Sequence, residues 1–160
     1  MTNKIAKVEI GTAASLPAPP ALPMSAQLFR AYEDTARPHP DIGQPKHYPD
    51  GVRVEASRAL EALQPYVTAV SKRIIYSWLE PIPFAVRNAR SNEEIAAWTQ
   101  SVIMALSGIA AGAFTVETQR EALQTFKFFP SASDISDVVS PTSLDLRIKA
   151  KILKRIADTP

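Results

Sequence analysis

The sequence predicts an all-α fold, a small helical bundle of about five or six helices behind a disordered, proline-rich N-terminal segment. Apolar residues recur in steps of three and four, which lines one face of a helix. They do so at Leu60, Leu63, Val67, Val70, Ile74, Ile75 and Trp78, and again at Ile95, Trp98, Val102, Leu106 and Ile109. Twice a serine precedes an acidic residue by three positions at a helix start (Ser91 and Glu94, Ser131 and Asp134), a pairing that satisfies two otherwise orphan amides. The alternation of apolar and polar positions that marks a half-buried strand is absent.

Residues 1–50 hold eight of the fourteen prolines. Each ring fixes φ and removes an amide donor, so this segment is expected to be extended and flexible. A short helix over 25–35 is the exception, capped by Ser25 and ordered where Leu28, Phe29 and Tyr32 find a groove. A helical core domain over 51–140 follows. Its first helical stretch runs from Asp50-Gly51 to Glu80. Pro65 either kinks that stretch or starts a second helix, and Pro81 and Pro83 end it. The Ser91 cap starts the next helix, with Gly112 as its stop. Thr115 caps a helix from Val116 to about Lys127.

The stretch Phe126-Lys127-Phe128-Phe129-Pro130-Ser131 forms a corner between helices. Pro130 disfavours helical geometry at Phe129, and Ser131 caps a new helix through Ile135, Val138 and Val139. Burying a Phe is worth about 1.5–3 kcal/mol, so at least two of the three phenylalanines are expected to pack on neighbouring helices. Ser140-Pro141 ends that short helix and begins the last element, a basic amphipathic helix within 141–160.

Charge is concentrated in that last element. Residues 146–160 carry five Lys/Arg against one acidic residue, whereas 51–145 carry eight against ten. At 100° per residue Arg147, Lys151, Lys154 and Arg155 share an arc of roughly 100°. Leu146, Ile148, Ile152, Leu153 and Ile156 lie opposite, and Lys149 intrudes upon them. An interaction surface is therefore expected at Arg147, Lys149, Lys151, Ile152, Lys154 and Arg155, with the aromatic corner residues Phe128 and Phe129 as a further contact.

No catalytic constellation is legible. The chain has no cysteine, which excludes disulfides, thiol catalysis and cysteine-ligated metals. Its two histidines, His39 and His47, lie in the proline-rich segment near Asp34 and Asp41, without ligands at helical metal spacing. Glycine-rich phosphate loops and nucleophile elbows are missing. Adjacent Glu93 and Glu94 fit a capping role better than an acid/base pair, and Trp78 and Trp98 occupy helical core positions. The expectation is a non-enzymatic protein with no cofactor and no metal. Without a signal-type leader or a run of roughly 18 apolar residues it is also expected to be cytoplasmic, with no membrane partner.

From Trp98 onward the chain resembles a small helical domain of phage-encoded loaders and inhibitors of the DnaB-type replicative helicase. The likeness rests on a tryptophan-bearing helix (Trp98, Leu106) and an acidic-capped helix with an Ala-Leu pair (Glu117, Ala122, Leu123). An aromatic-Pro-Ser corner (Phe129, Pro130, Ser131, Asp134, Ile135) completes it. The resemblance implies a replication accessory protein, in a bacterial cell or phage-infected bacterium, that passes a helicase to origin DNA or withholds it. The helicase contact would then be the 142–156 helix. The residues also allow a DNA-binding module, with 131–139 and 141–156 as a helix-turn-helix whose basic second helix enters the major groove.

Overall fold

The computed structural model describes residues 15–18, 20–37, 47–88 and 90–159. Among them the fold is all-α, with six helices of eight residues or more. These are α1 (Ala26–Ala36), α2 (Asp50–Val67), α3 (Lys72–Leu79), α5 (Asn92–Leu106), α6 (Val116–Thr125) and α7 (Ala132–Asp158). A one-turn helix, α4 (Ile82–Ala85), and a 3-10 turn, η1 (Ala111–Ala113), complete the set. No strand forms among the described residues; there are two isolated bridges, antiparallel Ala69 to Ala110 and parallel Arg87 to Phe128.

The spine is α7, whose 27 residues span about 40 Å. Its N-terminal half puts Ile135, Val138 and Val139 into a core with Ile75, Trp78 and Leu79 of α3, Val102, Ile103 and Leu106 of α5, and Phe114. Its C-terminal half puts Leu146, Ile152, Leu153 and Ile156 into a second core with Leu28 of α1 and Val52, Ala56 and Leu63 of α2. In the first core the Trp78 ring meets Phe114 edge-on at 5.7 Å. Its indole N–H donates to the Thr115 carbonyl and the Thr118 hydroxyl, each at 3.2 Å, so this buried polar group has partners.

The predicted caps form. Glu94 N–H donates to Ser91 Oγ (3.2 Å) and Ser91 N–H to Glu94 Oε2 (2.8 Å). Ser131 and Asp134 repeat the pattern at 3.2 and 2.7 Å, and Thr115 caps α6 with Thr118 as its reciprocal partner. Ser25 caps α1 and also ties it to α2, because its N–H and hydroxyl donate to the two Glu55 oxygens, both at 2.7 Å. That helix lies in the expected groove: Leu28 is fully buried and Tyr32 packs on the second core, while Phe29 stays exposed. Residues 1–14 and 38–46 of the segment expected to be flexible lie outside the described residues.

Four local expectations give way to tertiary packing. The apolar run from Leu60 to Trp78 is two helices, broken where Val70 N–H donates to the Ile109 carbonyl and Ala111 N–H to that of Thr68. Pro65 does not start a second helix; it falls in the last turn of α2, which ends at Val67. Gly112 does not stop α5, which ends at Leu106; it lies in η1, between Tyr66 of α2 and Leu146 of α7. The break expected at Ser140-Pro141 is absent, since α7 continues through Pro141.

Candidate functional site

Pro141 controls what α7 presents to solvent. An interior proline costs a helix about 3 kcal/mol through the lost N–H bond and a clash with the carbonyl four residues back. Here the ring is exposed, and both flanks are anchored by buried residues, each worth about 1.5–3 kcal/mol: Val138 and Val139 before it, Leu146, Ile152, Leu153 and Ile156 after it. Packing wins over the local preference. With no turn between Val139 and Pro141, the helix pair that a helix-turn-helix requires is not formed there.

The continuous helix divides its residues sharply. Leu146, Leu153 and Ile156 are at most 3% exposed. Ile152, expected in the contact surface, is 9% exposed and belongs to the second core, because it falls on the side that α1 and α2 cover. On the outer side, steps of four, three and four align Leu144, Ile148, Lys151 and Arg155 along one stripe. Leu144 is 61% and Ile148 46% exposed, and both cations are exposed, with no ion pair among the described residues.

The neighbouring cations are engaged. Arg147 donates to the Gly108 carbonyl, holding the connection that follows α5. Beside it the buried Ser143 hydroxyl accepts from Ala110 N–H at 3.0 Å. Lys149 is half-buried and pairs with Asp145 at 2.7 Å, and Lys154 pairs with Asp158 at 2.6 Å. Burial raises the Tyr32 phenol above its ordinary value, against the opposing influence of Lys149.

The aromatic corner is a separate surface, since Ser131 and Lys151 are twenty positions apart on one helix axis, about 30 Å. Phe126 and Phe129 pack, so of the two phenylalanines expected as a contact Phe128 is 60% exposed while Phe129 is half-buried against Trp98. The Trp98 indole N–H donates to the Pro130 carbonyl at 2.8 Å, and its ring meets Phe129 at 4.7 Å. The Arg90 guanidinium lies over the Phe129 ring at 4.5 Å.

Several exposed apolar side chains lie outside the contact residues expected from sequence, Leu144 and Phe84 among them. The spacing of Leu144 to Ile148, Lys151 and Arg155 becomes readable once 146, 153 and 156 are known to be core. Phe84, in the one-turn helix α4, is 86% exposed. No group of three or more His, Asp or Glu side chains among the described residues could hold a metal ion, and no described helix is long and apolar enough to cross a membrane. Against known proteins, the chain matches no family model, no curated protein and no solved structure.

Proposed function

We propose that this chain works by binding rather than by catalysis, and that it is a replication accessory protein contacting a DnaB-type replicative helicase as loader or inhibitor. The outer stripe of α7 supports this reading. Leu144 and Ile148 are exposed on a helix whose other large apolar side chains are buried, and Lys151 and Arg155 extend the stripe with positive charge. Such a face fits an apolar groove rimmed by carboxylates, with the apolar pair supplying affinity and the cations supplying orientation and association rate. The partner's identity rests on the resemblance around Trp98, Phe129, Pro130 and Ser131.

The experiment is capture of purified helicase hexamer by the full chain, by Leu144→Asp/Ile148→Asp and by Lys151→Glu/Arg155→Glu. The substituted residues are exposed, so each variant retains its fold by circular dichroism. The reading predicts capture by the unaltered chain and loss in the first variant. Equal capture by all three proteins refutes the placement, and no capture by the unaltered chain refutes the partner. A truncation ending at Ser140 is unsuitable, because it removes Leu146, Ile152, Leu153 and Ile156 from the second core.

A further inference from the structure

The connector after α4 and the corner after α6 meet as a second surface, separate from the α7 stripe. Arg87 N–H donates to the Lys127 carbonyl at 3.0 Å, and the parallel bridge sets Arg87 beside Phe128. Asn88 turns the chain immediately afterwards with φ at 67°, a left-handed conformation that asparagine tolerates better than most residues. Phe84, three residues before Arg87, is the most exposed large apolar side chain described, and Phe128 is also largely in solvent. Three exposed cations, Arg87, Arg90 and Lys127, accompany these rings, and Arg90 is steadied by its stack on Phe129. Residues 81–90 and 122–133 contain no acidic residue; exposed Glu80, Glu93 and Glu121 flank the two segments, and Glu94 and Asp134 are occupied in capping.

We propose that this surface binds single-stranded nucleic acid, with bases stacking on Phe84 and Phe128 and the backbone phosphates lying against Arg87, Lys127 and Arg90. Exposed rings set among cations without intervening acids match what an unpaired strand offers, a π-face on every base and a charge on every phosphate. A duplex would satisfy the cations and leave both rings in water, since its bases are already stacked. The inference does not depend on the helicase reading and uses no helicase in its test.

The test is fluorescence anisotropy of a labelled oligothymidylate of about 20 nucleotides with the full chain, at about 50 and 200 mM salt, beside a hairpin duplex of equal charge. The expected result is preference for the single strand, with affinity reduced at least tenfold in Phe84→Ala/Phe128→Ala and retained in Phe84→Trp/Phe128→Trp. Arg87→Glu/Lys127→Glu flattens the logarithmic salt dependence by about 1.4, at about 0.7 per phosphate contact on a single strand. Absence of single-strand binding at the lower salt overturns the proposal. So does equal affinity for the hairpin, or binding that survives Phe84→Ala/Phe128→Ala unchanged.

Discussion

Pro141→Ala separates a continuous α7 from two helices meeting at residue 141, because the two arrangements give the substitution opposite signs. In the continuous helix alanine restores the N–H that can donate to the Asp137 carbonyl and removes the ring from that carbonyl, a gain of about 3 kcal/mol on the helix scale. The unfolded chain becomes freer when proline is lost, which returns about 0.4–1 kcal/mol. The residue is exposed, so no packing is disturbed. The net expectation is a stabilisation of about 2 kcal/mol, which for a chain of this size raises the midpoint of thermal unfolding by about 4–8 °C. At the first position of a separate helix proline is favourable, and the same change would be neutral or destabilising. Urea and thermal unfolding of both proteins decide it, with the urea slope checked for constancy. No gain, or a loss, would refute the account of α7.

Gly112→Ala is expected to destabilise by about 1–2 kcal/mol, since overpacking costs about 1–3 and the loss of glycine freedom returns less than one. The new Cβ would lie 2.8 Å from Leu146 Cδ1 and 2.9 Å from Tyr66 Cβ, and the latter cannot move without α2; a lowered urea midpoint checks it. Ser143→Ala strips the buried Ala110 N–H of its acceptor and is expected to cost about 1–3 kcal/mol, whereas Ser143→Thr keeps the hydroxyl and restores part of it. Stability should also fall with acid. The Glu94 and Asp134 carboxyls are held below their ordinary values by their serine partners' hydroxyl and N–H groups, and Glu55 likewise by Ser25. Their contribution is complete above the ordinary carboxylate range, about pH 4, and is lost as pH drops through the lowered values. Glu94→Gln/Asp134→Asn should flatten the urea midpoint against pH between neutrality and pH 3.

The helix starts were legible because their chemistry is local. A Ser or Thr hydroxyl needs only a helical residue three positions on, and Ser25, Ser91, Thr115 and Ser131 all cap as their sequences imply. The break between α2 and α3 was missed although Ser71 caps α3 by the same local chemistry, accepting from Ile74 N–H at 3.3 Å, because the apolar spacing runs on across it; bonds to Ile109 and from Ala111, some forty positions away, hold the interruption. Pro141 misled for the opposite reason. Its local rule is sound, but burial before and after it outweighs that rule. Periodicity also assigned Ile152 and Ile148 to the same apolar side of the last helix. Which is core depends on where α1 and α2 lie, and they cover Ile152 while leaving Ile148 at the surface. At least two of the corner phenylalanines were expected to pack, and Phe126 and Phe129 do; that Phe128 is the one in solvent depends on where the corner meets Arg87.

The most direct measurement of the central claim is the dissociation constant of the full chain for a purified DnaB-type helicase hexamer, by interferometry, against Leu144→Asp/Ile148→Asp and against Met104→Glu at an exposed position of α5. The account predicts binding that weakens at least tenfold in the α7 variant and is unchanged by the α5 substitution. Binding that the α7 variant leaves intact, or that is lost only with Met104→Glu, would contradict it.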